Sequence, residues 1–199
     1  MRDLRFFSPR GPLQPGQDGR IRAYYNVLEA GAVGILYTAG YLAPTMSVDG
    51  ALVQTATTYT FDEPGEHLIK FSAVNHTLAA NAFRSVSCLK RIYIPEGPTV
   101  LPTNYILQAN AVELVVLPAS IVTLNSGSLQ IRTKGIATLV FRGNVPPSGS
   151  ITDTTTKWSK VYVPYSSDHS ILAAYQNAFS DSSNVMFELN PDGTVPDNS

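Results

Sequence analysis

A short apolar pattern recurs along the chain at nearly constant intervals. It occurs in LKRIYIP at residues 89–95, VELVVLP at 112–118, IATLVFR at 136–142 and WSKVYVP at 158–164. The central apolar positions, from Ile92 to Val161, are separated by steps of 23, 24 and 22 residues. Similar runs at 67–71 (HLIKF) and 184–189 (NVMFEL) extend the series to six candidate strands.

Each run reads apolar-x-x-apolar-x-apolar, so its last two apolar side chains point to the same face of a strand. One strand cannot bury that face alone, whereas stacked copies share a core. The pattern predicts a mainly β protein with short helices, built as a solenoid of about six rungs. In the outer runs we expect Ile69 and Phe71, and Val185 and Phe187, to point inward. The first apolar positions, including Ile136, are expected to enter the core from the preceding bend.

The remaining sequence divides into three predicted regions. Residues 1–22 are rich in proline, glycine and arginine and predict an extended arm. Residues 23–65 predict a small β module with strands at 23–28, 34–37, 45–48 and 57–61, and Asp49-Gly50 as a hairpin turn. Residues 66–199 hold the repeats and a C-terminal cap. That cap includes a helix at 169–179, with Ser167 or Asp168 as its N-cap.

The charge and the composition of the chain exclude several classes of partner. Charged residues make up 15% of the chain and the net charge is −1, which predicts no nucleic-acid partner and no binding to an anionic membrane. No apolar run approaches the ~18–20 residues of a membrane span, and the N-terminus lacks the pattern of a signal peptide. We therefore expect no membrane insertion and no export by the usual route. The one cysteine, Cys88, is expected to be a small core residue.

The sequence contains no motif that carries recognisable chemistry. The three histidines, His67, His76 and His169, are not spaced as metal ligands, and no glycine-rich phosphate loop or nucleophile elbow is present. NPDGT, at residues 190–194, is a turn signal rather than a calcium loop. We predict a protein that is not an enzyme and that has no catalytic residues, no metal and no cofactor.

The outward positions of the repeats form the predicted binding surface. They combine aromatic and apolar side chains with two cations, as contact surfaces do: Tyr93, Val116, Val140, Tyr162, Met186, Arg91 and Lys160. Two alternatives remain open. Strand propensity alone favours valine and tyrosine at such positions, or the N-terminal arm covers the stripe.

Residues 80–101, ANAFRSVSCLKRIYIPEGPTVL, resemble the BspA-like class of bacterial leucine-rich repeats. That class carries an AF..C..L..I.IP..V pattern. Its residue types occur here in the same order, with the L..I.IP spacing kept and Cys88 directly before Leu89: Ala82, Phe83, Cys88, Leu89, Ile92, Ile94, Pro95 and Val100. The resemblance spans about residues 46–190, is looser after the second repeat, and implies a leucine-rich-repeat solenoid. Similar proteins occur on bacterial surfaces and in phages of gut bacteria.

Three functions follow as alternatives. The first is a structural and binding protein of a phage virion, made in the host cytoplasm, in capsid decoration, a fibre or a tail. Its arm would anchor it to other particle proteins or a sister chain through Arg2, Arg5, Phe6, Phe7 and Arg10, while the solenoid face binds protein or glycan. The second is a bacterial cell-surface adhesin for host protein or glycan, and the third is an enzyme. The absence of a signal peptide and the arm favour the virion component.

Overall fold

The computed structural model describes residues 19–37, 45–54, 56–72, 78–132, 134–152 and 156–196. The protein is mainly β, as predicted. Its strands are β1 (Arg20–Val27), β2 (Val33–Ile35), β3 (Met46–Val48), β4 (Ala51–Val53), β5 (Thr58–Thr60), β6 (Gly65–Ser72), β7 (Leu89–Tyr93), β8 (Val100–Leu101), β9 (Ile106–Leu107), β10 (Leu114–Leu117), β11 (Thr123–Leu124), β12 (Leu129–Gln130), β13 (Lys134–Phe141), β14 (Lys157–Val163) and β15 (Met186–Glu188). Helix α1 (Ser170–Ala178) and a 3₁₀ helix (Ser180–Val185) lie between the last two strands.

One nine-stranded sheet organises the described part of the chain, in the order β15-β14-β13-β10-β7-β1-β6-β3-β4. Within this sheet β7, β10, β13, β14 and β15 are parallel, each paired with the next. The central apolar positions pair across this sheet in the predicted register: Ile92, Val115, Leu139 and Val161. All four side chains are fully buried. The interval read from the sequence therefore corresponds to the step from one parallel strand to the next.

The predicted position of the first rung is wrong. Strand β6, which contains HLIKF, is not adjacent to β7, because β1 lies between them and pairs antiparallel with both. Ile69 and Phe71 do point inward. Alternating residues of β1, including Ile21 and Tyr25, are also fully buried. Strand β1 therefore contributes its own side chains to the core between β6 and β7. Its first residues, 20–22, had been assigned to the arm.

Two predicted orientations are also wrong. In β15, Met186 pairs with Val161 and is buried, whereas Phe187 pairs with Tyr162 and is 44% exposed. The pattern had assigned Met186 to the outward face, and a one-residue slip exchanges the faces of a strand. Ile136 is 61% exposed, because the register of β13 shifts and places Ala137 in the core instead.

Short parallel pairs also join successive repeats on a second side, β8 with β11 and β9 with β12. The backbone N–H of Phe83 donates to the Tyr105 carbonyl at 2.8 Å, 22 residues further along the chain. The Glu96 carboxylate accepts the backbone N–H groups of Ala119 and Ser120 at 2.9 and 3.0 Å. Successive repeats are therefore hydrogen-bonded to each other outside the main sheet as well as within it. These bonds also pair backbone N–H and C=O groups that would otherwise lack a partner.

The N-terminal strands and the helix agree with the sequence prediction. Strands β1 to β5 lie within a few residues of the predicted positions, and Asp49-Gly50 forms the β3–β4 turn with φ of 50° and 91°. Helix α1 buries Tyr175, but His169 occupies its N-cap position with no side-chain cap. Asp168, the residue before the N-cap, accepts the Ser170 N–H through its side chain. No helix in the described ranges is long and apolar enough to cross a membrane.

Candidate functional site

The aliphatic centre of the predicted outward stripe is covered rather than open. Val116 and Val140 are fully buried, and Tyr162 is only 2% exposed. They form a small hydrophobic cluster with Leu189, on the side of the sheet opposite the main core. Val195, Leu114 and Tyr93 are partly buried and pack against it. Residues 189–196, which we call the strap, contribute Leu189 and Val195 to this cover. The alternative of an N-terminal cover falls on residues outside the described ranges.

The strap is held by a tight turn and by the strand next to it. The Leu189 N–H donates to the Val163 carbonyl at 2.9 Å, continuing the pairing of β15 with β14. The Asn190 N–H donates to the Thr194 carbonyl at 2.8 Å, and the Asp192 carboxylate accepts the Thr194 N–H at 2.9 Å. NPDGT therefore forms the turn that its sequence indicated, and this turn places Leu189 and Val195 on the same cluster.

Arg142 joins the strap to the sheet. Its Nη1 donates to the Gly193 carbonyl at 2.8 Å. Its Nε and Nη2 are buried and have no hydrogen-bond partner in the described part of the chain. Burial lowers the pKa of this guanidinium, and the neighbouring Tyr93 opposes that shift. Arg142 thus links the strap to the part of the outward face that contains Tyr93.

Beyond the strap, the outward face contains a cluster of Tyr24, Tyr93, Arg91 and Glu66, which we call the Tyr–Arg cluster. The two tyrosine rings meet edge to face at 5.8 Å between centroids, and Arg91 lies over the Tyr24 ring at 4.4 Å. Arg91 also pairs with the Glu66 carboxylate. The Arg91 and Glu66 side chains remain 28% and 45% exposed. Burial raises the pKa of Tyr93, and the Arg91 charge opposes that shift.

The predicted binding residues therefore separate into groups. Tyr93 and Arg91 lie together in the Tyr–Arg cluster. Lys160 is half-buried on β14, in the row of paired residues that runs from Arg91 on β7 across β10 and β13. Val116, Val140 and Tyr162 lie under the strap, and Met186 belongs to the main core. The anchoring residues Arg2, Arg5, Phe6, Phe7 and Arg10 lie outside the described ranges.

Sequence reasoning missed Tyr24 as a member of the site, as well as the strap. The strict alternation of β1 signalled Tyr24, because buried residues at 21, 23, 25 and 27 leave residues 20, 22, 24 and 26 on the opposite face. The strap had a weaker signal. Leu189 and Val195 flank the turn sequence NPDGT, and a turn between two apolar residues can bring both to one surface.

The described histidines have structural roles. His67 Nδ1 lies 2.8 Å from Asp49 Oδ2, and its Nε2 lies 3.0 Å from the Glu63 carbonyl, so the ring joins two turns. His169 Nδ1 lies 2.7 Å from Glu188 Oε2 beside helix α1. Within the described ranges, no group of three or more His, Cys, Asp or Glu side chains is arranged to hold a metal ion.

Comparison with known proteins finds no relative: no family model, no curated protein and no solved structure matches the chain.

Proposed function

We propose that the chain is a non-enzymatic structural and binding protein whose core is a leucine-rich-repeat solenoid, and that it is a component of a phage virion. The observation that carries the proposal is the in-register parallel stack from β7 to β15. Such stacks expose broad faces whose side chains can vary without disturbing the core, and repeat proteins use these faces to bind partners.

Hydrogen bonds between repeats support the solenoid part of the proposal. They occur on the second side of the chain as well as in the main sheet, for example from Ile106 N–H to the Ser128 carbonyl at 2.9 Å. The burial of residues from the AF..C..L..I.IP pattern also supports this part of the proposal. Ala82, Phe83, Leu89 and Ile92 are buried in the main core, and Cys88 packs against it.

The Tyr–Arg cluster is the surface that we assign to a protein partner. Tyrosine and arginine are enriched where protein interfaces contribute most of their energy, because they combine a large apolar area with directed polar groups. Arg91 is already held by Glu66 and by the Tyr24 ring, so little side-chain freedom remains for a partner to restrict. Docking at this surface would fix the protein in a particle.

Light scattering coupled to size-exclusion chromatography tests the virion assignment. Full-length chain is compared with a chain that lacks residues 1–18, a deletion that keeps β1 complete. We expect a defined oligomer from the full chain and a folded monomer from the shortened one, because the arm would supply the contact between copies. Compact monomers from both would contradict assembly through the arm and favour the bacterial surface adhesin.

The double variant Tyr24→Ala, Tyr93→Ala tests the assigned surface, with Tyr59→Ala as a control on another sheet. If the arm of one copy docks on the Tyr–Arg cluster of the next, the double variant loses the oligomer while its circular dichroism spectrum is kept. An unchanged oligomer would exclude the Tyr–Arg cluster as the contact.

A further inference from the structure

Both edges of the nine-stranded sheet are open in the described part of the chain. The strand order ends at β4 on one side and at β15 on the other, and no described strand pairs with the outer side of either. Each edge therefore presents backbone N–H and C=O groups that another strand could pair. Proteins often protect such edges with lysine, proline or a bulge. Neither β4 nor β15 contains lysine or proline, and neither is paired with a register shift.

Each edge also exposes an apolar side chain on the outward face. Leu52 on β4 is 75% exposed, and Phe187 on β15 is 44% exposed. The two residues are the ends of one row of cross-strand partners. This row passes from Leu52 to Ser47 and continues strand by strand, through Tyr93 and Val140, to Phe187. Cross-strand partners point to the same face of a sheet, so Leu52 and Phe187 share one face at opposite edges.

The two edge strands run in the same direction. Strand β15 is parallel to β7, through the parallel pairings of β10, β13 and β14. Between β7 and β4 the four pairings β7–β1, β1–β6, β6–β3 and β3–β4 are all antiparallel, so β4 regains the direction of β7. A second copy in the same orientation would therefore add its β4 beside β15 as one more parallel strand.

We propose that the chain associates head to tail with a second copy of itself, by pairing of β15 in one copy with β4 in the next. This pairing continues the outward row across the two copies and places Phe187 beside Leu52, so both side chains lose contact with water. A second copy is the occupant that we assign, because its opposite edge already matches in strand direction, in row and in apolar character. The contact is heterologous, so each added copy leaves one edge of each kind open and a linear array can grow.

The contact is small, and its occupancy depends on how closely the copies are held. Each edge strand has three residues, whereas a stable interface buries at least ~1,000 Å². Free copies should therefore separate on dilution, so the monomer expected from the chain without residues 1–18 is not affected. Copies held side by side in a particle have a high effective concentration, which favours the pairing. Only this setting rests on the proposed function.

Disulfide trapping in the full chain tests the proposal. Cys88 is the one native cysteine, so single cysteines are introduced in a Cys88→Ala background. Leu52→Cys and Phe187→Cys are purified separately, mixed in equal amounts and oxidised with diamide. Nine strands leave eight intervals of about 4.8 Å between these positions within one copy, about 38 Å in total, so a disulfide can form only between copies.

Two mixtures provide matched controls. Val145 is 75% exposed, as Leu52 is, but it lies in the loop after β13, so Val145→Cys mixed with Phe187→Cys gives the rate of random collision. Ala51 is also exposed on β4, but it points to the face opposite Leu52. We expect the mixture of Leu52→Cys with Phe187→Cys to form the disulfide dimer at least about tenfold faster than either control mixture.

Three outcomes would overturn the proposal. The first is a mixture of Leu52→Cys with Phe187→Cys that reacts no faster than the Val145→Cys mixture. The second is an equal rate when Ala51→Cys replaces Leu52→Cys. The third is dimerisation of either edge variant alone as fast as the mixture, which would indicate a symmetric or non-specific contact. Light scattering of the arm deletion does not measure these rates, so the virion assignment and the edge contact can fail separately.

Discussion

Packing of the strap on the outward face should contribute measurably to the free energy of unfolding. Tyr162 is 2% exposed and Leu189 is 3% exposed, and both belong to the cluster under the strap. Truncating buried aromatic or leucine side chains to alanine costs about 3–5 and 2–5 kcal/mol. Because this cluster is small and lies under one segment of chain, we take the lower ends of these ranges. We expect Tyr162→Ala to lower the free energy of unfolding by about 3 kcal/mol and Leu189→Ala by about 2 kcal/mol.

A double-mutant cycle then isolates the contact between strap and sheet. Residues that share one cluster couple by about 0.5–3 kcal/mol, so the double variant should lose about 1 kcal/mol less than the sum of the single losses. The measurement is urea denaturation followed by circular dichroism. Thermal unfolding provides a second readout, because about 3 kcal/mol corresponds to a fall of about 6–12 °C in the midpoint for a chain of this size.

A second pair of substitutions serves as the control for the double-mutant cycle. Leu189→Ala combined with Tyr59→Ala, which lies on the separate β2–β5 sheet, should be additive within about 0.5 kcal/mol. If Tyr162→Ala costs less than about 1 kcal/mol, or if it adds to Leu189→Ala without coupling, then the strap does not cover the stripe. The stripe would in that case return as an open binding surface.

Three further predictions concern orientation, acid and a buried hydroxyl. Met186→Ala should lower the free energy of unfolding by about 2 kcal/mol and Phe187→Ala by about 1 kcal/mol or less; the reverse order in urea denaturation would restore the register read from the sequence. Hydrogen bonds from Thr194 lower the pKa of Asp192, so the strap turn is stabilised above the ordinary pKa of 3.8 and loses this contribution as pH falls below it. Amide exchange of the strap should rise in that window, and Asp192→Ala should abolish the pH dependence; a strap insensitive to acid in the unmodified chain would contradict this. Tyr175→Phe should cost about 1 kcal/mol, because the Tyr175 hydroxyl shares its single hydrogen between two loop carbonyls, at 2.8 and 3.1 Å. An unchanged midpoint of urea unfolding would contradict that role.

The parallel strands were predictable because one physical requirement repeats along the chain. The repeats at β7, β10, β13 and β14 each bury two apolar residues at alternate positions, so the interval and the inward residues could be read directly. The prediction failed where the local pattern permits two registers. In NVMFEL, residues 185, 186 and 187 are all apolar, so alternation alone does not choose which of them points inward.

The insertion of β1 could not be read from the same pattern. Alternation in RIRAYYNV identifies a strand, but it does not say which neighbours that strand will have. The spacing of 23 residues between Ile69 and Ile92 fits the series, which made adjacency of β6 and β7 the simplest expectation. The two strands are antiparallel to β1 and lie on either side of it, so the equal spacing there does not reflect stacking.

The chemistry of the side chains on the outward face explains why one part of the predicted stripe is buried and another part is only half-buried. Its aliphatic part, Val116 and Val140, has no polar groups that could remain in water, and the strap removes it from solvent. Its other part, Tyr93 with Tyr24 and Arg91, has hydroxyl and guanidinium groups that can keep solvent contact while the rings pack. A sequence search for apolar and aromatic outward residues joins these parts because it measures hydrophobicity alone. The ability of a side chain to remain half-buried separates them, and the half-buried part is the one that we propose as the binding surface.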